Sequence, residues 1–218
     1  YKNAMVMARE VIANKGIWVA KKRYLLNVLD EEDVRLSEPK LKIMGIEAIK
    51  SSTPQVCRGK IKEAIKIIMS KSESDLHTFI ADFKKEFMGM SAEKISFPRS
   101  CNNRRKYGSS KDVFIKGTPI HVKGALIYNH QITQFKLQNK YPYIQEGYKI
   151  KFIKLLEANP FKFDVISYIT KLPKEFNLQE YIDYEVQFEK TFLDPMRFIL
   201  NSIGWEHEKK ASLEAFFG

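Results

Sequence analysis

Apolar positions in the middle of the chain recur at the spacing of an α-helix. The first stripe, with intervals of mostly three and four residues, consists of Cys57, Ile61, Ala64, Ile65 and Ile68. Thr53 and Pro54 precede it, and this pair is typical of a helix start because a first-turn proline needs no N–H partner. A second stripe consists of Leu76, Phe79, Ile80, Phe83 and Phe87. The pattern predicts two helices, one to about Lys71 and one from about Glu73, with basic outer faces.

Segments rich in β-branched and aromatic residues flank this helical pair. Residues 16–30 predict a strand that ends in the acidic cluster 30–33, which is typical of a solvent-exposed hairpin turn. A second strand is expected over 34–44. Further short strands, separated by Gly, Pro or Asn, are predicted at 112–116, 120–129, 148–156 and 163–169.

The last part of the chain returns to a helical pattern. It begins near Leu178, breaks at Asp194-Pro195, where Asp194 can cap a new helix, and ends at Gly204. Together these elements predict an α+β fold. We expect it to be helix-rich at its centre, with small antiparallel sheets at the start and around 112–169.

The chain is basic, and the excess charge is uneven. Its 218 residues carry 37 Lys+Arg and 26 Asp+Glu, which gives a net charge of +11. Residues 1–110 hold 22 of the cations against 13 acidic residues, whereas 111–218 hold 15 against 13. The aperiodic segment 95–111 holds five of these cations, close to Asn103 and Tyr107. Charge concentrated in one half of a chain is typical of an electrostatic footprint, so we expect an anionic partner.

No self-sufficient active site is visible in the sequence. The four histidines lie far apart, the two cysteines form no CxxC pair, and GxxxxGK, GxSxG and Asp-x-Asp patterns are absent. Consecutive carboxylates at 30–33 point in different directions, so they do not predict a metal site. No apolar run approaches the ~20 residues that span a bilayer, so no membrane partner is expected.

Five sequence blocks follow one another along the chain: KKRYLLNVLD, EPKLKIMGIEAIKSSTP, TPIHVKGALIYN, EANPF and KKASLEAFFG. In this order and at these intervals they resemble the C-terminal part of family B DNA polymerases from T-even-type bacteriophages. The resemblance covers essentially the whole chain and is weakest around 70–110 and 130–145. It implies the C-terminal edge of a palm domain at 1–35, a thumb domain at 36–205 and a sliding-clamp-binding tail at 206–218.

The same resemblance implies a set of DNA-binding residues. Lys22 and Tyr24 match a Lys-x-Tyr pair that holds the primer strand near its 3′ end, and on one strand their side chains would share a face. Lys42 corresponds to a second lysine near the minor groove, although a plain solvent-exposed lysine explains it equally well. The thumb surface along the duplex backbone is represented by Asn103, Arg104, Lys106, Tyr107, His121, Lys123 and Gly124. The KKRY string alone also suits an edge strand whose lysines prevent aggregation.

The end of the chain carries an apolar pattern of its own. Leu213, Phe216 and Phe217 fall at i, i+3 and i+4, so a single helical turn places all three on one side. Exposed aromatic residues in such a position usually dock on a partner. The pattern resembles the sliding-clamp-binding peptide, and the alternative is a tail that folds back on its own domain.

The resemblance also implies what this chain lacks. The catalytic aspartates of the family lie in two palm motifs, Asp-x-x-Ser-Leu-Tyr-Pro-Ser and Asp-Thr-Asp-Ser, and neither occurs here. No catalytic residue, metal ligand or cofactor is therefore expected in this chain, which should be inactive alone, whereas the complete polymerase would use Mg²⁺. Since the chain starts at Tyr1, we expect the palm and exonuclease portion on a preceding segment or on a separate polypeptide.

The implied function is to grip primer–template duplex DNA and to attach the polymerase to its sliding clamp, in the cytoplasm of the infected bacterial cell. Two alternatives stay open. One is a stand-alone basic nucleic-acid-binding protein without a polymerase partner. The other is a nuclease that uses scattered carboxylates such as Asp30, Glu32 and Glu38.

Overall fold

The computed structural model describes residues 8–46, 50–109 and 112–209. Its strands are β1 (Val11–Ala20), β2 (Arg23–Glu31), β3 (Val34–Met44), β4 (Phe97–Ser100), β5 (Lys149–Lys154) and β6 (Val165–Tyr168). Its α-helices are α1 (Gln55–Ser70), α2 (Glu73–Met88), α3 (Ala92–Ile95), α4 (Arg104–Tyr107), α5 (Ile120–Gln134), α6 (Tyr184–Phe188) and α7 (Asp194–Asn201). The strands form two three-stranded antiparallel sheets, in the orders β1-β2-β3 and β4-β5-β6. The predicted α+β class is confirmed.

The chain divides into two compact units. The first comprises the described residues before 50, together with 61–80 and the described residues after 194. The second comprises 50–60 and 81–194. Each unit therefore contains one of the two sheets and is built from separate stretches of the chain.

The acidic cluster forms the predicted hairpin turn between β2 and β3. Glu31 and Val34 are paired across it, and the two turn residues Glu32 and Asp33 have φ angles of 52° and 63°. Positive φ at both central positions is the geometry of a type I′ turn, whose twist matches that of the flanking strands. The predicted strand 34–44 coincides with β3.

A second turn interrupts the strand that the sequence predicted over 16–30. Ala20 pairs with Arg23, so Lys21 and Lys22 form a two-residue turn between β1 and β2, and Lys22 has a φ of 61°. The prediction missed this turn because it contains no Gly, Pro or Asn and the residues on both sides favour strands. The expectation that Lys22 and Tyr24 share a face of one strand is therefore wrong, since Lys22 lies outside the pleat.

The first unit packs one face of its sheet into a core. Ile17 and Leu25 are register partners on this face and are almost completely buried. The Nζ atom of Lys15 donates to the carbonyl oxygens of Ile68 and Met69 at 3.0 and 3.1 Å. These carbonyls lie in the last turn of α1, where no intrahelical partner is available, so the lysine satisfies them.

The two predicted central helices are confirmed as α1 and α2. All five positions of the first stripe are buried, and so are four of the five in the second, while Phe79 is half-buried. The start of α2 has a reciprocal cap that the sequence pattern did not single out. The Ser72 N–H donates to the Asp75 carboxylate at 3.0 Å, and the Asp75 N–H donates to the Ser72 hydroxyl oxygen at 3.3 Å.

The second unit contains a helix where a strand was predicted. Residues 120–129 belong to α5, and the expected strand is wrong. Seven residues of this helix are buried: Val122, Gly124, Ala125, Leu126, Ile127, Tyr128 and Ile132. A helix buried on most sides lacks the polar face that produces a 3.6-residue period. Its continuous apolar run therefore cannot be distinguished by periodicity from that of a buried strand.

The other predicted strands of this unit have mixed outcomes. Strands β5 and β6 lie within the predicted segments 148–156 and 163–169 and confirm them. Segment 112–116 forms no strand over its described residues, and only an isolated bridge joins Phe114 to Gly108. Strand β4, which pairs with β5, was not predicted.

The end of the chain is helical, as expected, but its interruption has a different form. Short 3₁₀ turns at Lys174–Phe176 and Gln179–Tyr181 lead into α6, and a π-helical segment at Glu189–Leu193 connects α6 to α7. The wider π turns come directly before Pro195, where a proline ring would clash with the preceding turn of an ordinary α-helix.

The predicted end at Gly204 is confirmed within the first unit. Gly204 has a φ of 72°, and the N–H of Trp205 donates to the Leu200 carbonyl at 3.1 Å. This hydrogen bond spans six residues and encloses a glycine in the left-handed conformation, as the longer bond of a Schellman motif does. It satisfies a free carbonyl at the helix end.

Candidate nucleic-acid interface

The β1–β2 turn presents the cations of the KKRY block in the first unit. Lys21, Lys22 and Arg23 are exposed, and Tyr24 is half-buried at the start of β2. Tyr24 pairs with Trp18 on β1, and the Trp18 side chain is 68% exposed. We call these five residues the hairpin surface. Trp18 was missed because its place beside Tyr24 follows only from the Lys21-Lys22 turn.

Lys42 lies in a cluster of ion pairs. Its Nζ atom donates to Oε1 of Glu10 at 3.0 Å and to Oε1 of Glu31 at 3.4 Å, and Glu31 also pairs with Lys40 at 3.0 Å. The hydrogen bond to Glu10, aided by Glu31, raises the pKa of Lys42 above its ordinary value despite partial desolvation. Lys42 is therefore charged, but nearby carboxylates balance much of its charge.

The carboxylates of the nuclease alternative do not converge. Asp30 and Asp33 share Arg9 at 3.2 and 2.7 Å, while Glu32 and Glu38 are exposed. Over residues 8–46, 50–109 and 112–209, no group of three or more His, Cys, Asp or Glu side chains is arranged to hold a metal ion. Nothing in this geometry supports that alternative.

In the second unit, a carboxylate fixes the Asn103–Tyr107 segment. Glu146 accepts hydrogen bonds from the N–H groups of Asn103 and Arg104, the latter at 3.0 Å. It thereby satisfies donors at the start of the short helix α4. Arg104 is half-buried, and its Nε atom has no hydrogen-bond partner among the described residues. Lys106 is exposed, with its Nζ atom 5.5 Å from the centre of the Tyr107 ring.

The fold brings this segment next to Lys123, sixteen residues further along the chain. The Ile115 N–H donates to the Tyr107 carbonyl at 3.1 Å, and Gly108 forms a bridge with Phe114. The Nζ atom of Lys123 lies 5.0 Å from the centre of the Phe114 ring. Phe114 therefore links the α4 segment to α5 within one unit.

Lys123 is also part of an ion-pair network at a cleft. Asp164 accepts from Lys123 at 2.6 Å and from Lys154 at 3.1 Å. Burial by itself raises the pKa of Asp164, but the hydrogen bonds from the two lysines outweigh it, so the pKa is lowered. The cleft has a volume of about 530 Å³ and is lined by Lys123, Glu157, Ala158, Asn159, Lys162, Phe163 and Asp164.

His121 and Gly124 occupy more enclosed positions on α5. His121 is half-buried, and its ring centre lies 6.3 Å from that of Phe152. Burial, and secondly the charge of Arg99, lowers the pKa of His121. Gly124 is buried against β6, and a Cβ atom there would lie 2.5 Å from Oγ and 2.7 Å from the backbone nitrogen of Ser167. The structure therefore gives Gly124 a packing contact between helix and sheet.

Two further predictions concern the end of the chain and association with membranes. The tail residues Leu213, Phe216 and Phe217 lie outside the described residues. Among the helices that are described, none is long and apolar enough to cross a membrane.

Comparison with known proteins shows that this chain is similar to phage DNA-directed DNA polymerases. It is 34% identical over 229 residues to the DNA-directed DNA polymerase of Enterobacteria phage T4, a match that includes 100% of this chain and 25% of that protein. It is 38% identical over 229 residues to the DNA-directed DNA polymerase of Escherichia phage RB69, with 99% of this chain and 25% of that protein matched. The chain thus spans about a quarter of the length of these curated relatives. No protein-family profile matches it. The resemblance drawn from the sequence blocks is confirmed.

Proposed function

We propose that this chain is the part of a phage DNA polymerase that grips the primer–template duplex. The observation that carries the proposal is the match along essentially its whole length to two phage DNA-directed DNA polymerases. Within it, we assign residues 1–35 to the edge of the palm, 36–205 to the thumb and 206–218 to a clamp-binding tail.

Two sets of side chains would hold the duplex. In the first unit, Lys22 and Tyr24 would hold the primer strand, with Lys42 near the minor groove, where every base pair offers an acceptor and sequence is hardly read. In the second unit, the residues on the phosphate backbone would be Asn103, Arg104, Lys106, Tyr107, His121 and Lys123. Gly124 would support this surface indirectly, because the absence of a side chain there lets α5 pack closely against β6.

Salt dependence of duplex binding tests the grip. If about five phosphates are neutralised, the logarithm of the affinity should fall with a slope of roughly −4 to −5 against the logarithm of salt concentration. Fluorescence anisotropy of a labelled primer–template duplex measures this slope, and duplexes of unrelated sequence should give the same value. A slope near zero, or a strong preference for one sequence, would contradict the proposal.

The chemistry would belong to residues outside this chain. Two-metal nucleotidyl transfer needs carboxylates that clamp Mg²⁺, and the described residues offer no such cluster. We place the catalytic aspartates and Mg²⁺ on the palm and exonuclease portion, acting in the cytoplasm of the infected cell. A stand-alone nucleic-acid-binding protein would not restore primer extension when mixed with that portion, whereas the proposed function requires that it does.

The tail would attach the polymerase to its sliding clamp. Burying three apolar side chains at roughly 1.5–3 kcal/mol each, less the cost of ordering the tail, gives an affinity on the order of micromolar. Replacing both Phe216 and Phe217 by alanine should weaken clamp binding at least about tenfold and leave distributive synthesis intact. Processivity on a primed template with and without clamp measures the effect. A double variant that still extends processively with clamp would show that the tail is not the tether.

A further inference from the structure

The outer face of the first sheet carries a row of three large side chains, of which the proposed function uses only Tyr24. Because side chains alternate along a strand, Trp18 and Tyr24 lie on the face opposite to the buried Ile17 and Leu25. Tyr24 is paired on its other side with Met44, which is 45% exposed. Trp18, Tyr24 and Met44 therefore form a row across all three strands, directly beside the Lys21-Lys22 turn.

A glycine shapes the surface on which the indole of Trp18 lies. A Cβ atom at Gly16 would lie 2.6 and 2.7 Å from the Cη2 and Cζ3 atoms of Trp18 and 2.9 Å from Cδ2 of Leu26. The ring is therefore folded back along β1 over the bare backbone of Gly16. This leaves 68% of the Trp18 side chain exposed while its position is set by the strand.

The charge of this sheet is divided between its two ends. At the acidic end, Arg9 pairs with Asp30 and Asp33, and Lys40 and Lys42 pair with Glu31. At the turn end, Lys21, Lys22 and Arg23 are exposed, and no carboxylate of the described chain pairs with them. The row thus adjoins three cations that no described carboxylate neutralises. This charge pattern complements a polyanion better than a protein surface of mixed charge.

We propose that Trp18 is a further duplex-contacting residue, whose indole packs on the deoxyribose edges between the phosphates bound by the Lys21-Lys22-Arg23 turn. The inference rests on the proposed duplex grip and adds an uncharged contact to it. Aromatic rings pack on nucleic acid without reading sequence, so this contact suits a sequence-indifferent grip. Gly16 acts as a positioning residue, because any side chain there would push the indole off the strand.

The test uses the whole 218-residue chain and a labelled primer–template duplex. Because the chain has two tryptophans, the Trp205→Phe variant leaves Trp18 as the sole indole reporter. Its emission should change on adding duplex and saturate at the Kd measured by anisotropy. Trp18→Ala should weaken duplex binding roughly five- to tenfold with an unchanged salt slope, since no charge is removed. Gly16→Ala should weaken binding in the same direction, and Trp18→Phe should retain most of the affinity.

Phe198 provides a matched control. It is in the same unit and is also 68% exposed, so Phe198→Ala should leave duplex binding unchanged. Trp18 emission that does not respond to saturating duplex, or a Trp18→Ala variant with unaltered affinity, would overturn the assignment and leave the duplex grip standing. A Trp18→Ala variant that binds duplex normally but no longer associates with the palm and exonuclease portion would assign this face to a protein contact. Absence of duplex binding by the unaltered chain would overturn the duplex grip itself, and the Trp18 contact with it.

Discussion

Replacing Gly124 by alanine should lower the free energy of unfolding by about 2 kcal/mol. The new methyl group would lie 2.5 Å from Ser167 Oγ, 2.7 Å from the Ser167 nitrogen and 3.0 Å from the Ile166 carbonyl carbon. Two of these atoms belong to the backbone of β6, so the overlap is relieved only by moving α5 away from the sheet. Urea unfolding followed by circular dichroism measures the change. Duplex affinity should fall as well, because α5 carries Lys123.

Gly59 offers the same substitution with the opposite expected sign. It is exposed on α1, and a Cβ atom there would have no neighbour within 4 Å. Gly59→Ala should therefore raise stability by about 0.5–1 kcal/mol, because alanine loses less conformational freedom in a helix. If Gly124→Ala proved as stable as the unaltered chain, the close packing of α5 on β6 would be wrong.

Neutralising the turn of the hairpin surface should give the larger effect on DNA binding. The triple variant Lys21→Gln, Lys22→Gln, Arg23→Gln should bind a primer–template duplex roughly a hundredfold more weakly at low salt, and its salt slope should be shallower by about 3. The physical reason is that each of these three exposed cations, which no described carboxylate pairs with, would release counterions when it binds a phosphate. Anisotropy titrations over a series of salt concentrations measure both quantities.

A second triple variant separates local contact from total charge. Lys62, Lys66 and Lys71 are exposed in the same unit, and replacing them by glutamine removes the same net charge. We expect this control to lose only a small part of the affinity. Equal losses in the two triple variants would mean that duplex binding follows net charge alone, and the hairpin surface would then have no particular role.

The resemblance identified the relatives of this chain and nominated most of the candidate residues, but their surroundings came from the fold. Lys42 and Lys123 were nominated as contacts to DNA, and both lie in ion pairs, with Glu10 and Glu31 in one case and Asp164 in the other. Those carboxylates are 11 to 41 residues away from their lysines. No local pattern links groups so far apart along the chain, so sequence reasoning had no signal for them.

The sequence by itself determined the elements whose information is local. The apolar stripes of α1 and α2 could be recognised because one side of each helix is buried and the other is exposed to solvent. The acidic turn could be recognised because four charged residues separate two segments with strand-like composition. Tertiary structure alone decided that residues 120–129 form a helix, because burial on most sides removes the period by which a helix is recognised. It also decided the turn at Lys21-Lys22 and the place of Trp18 opposite Tyr24. Strand pairing sets this turn and the position of Trp18. Pairing depends on which residues meet across the sheet, and local sequence patterns do not specify that.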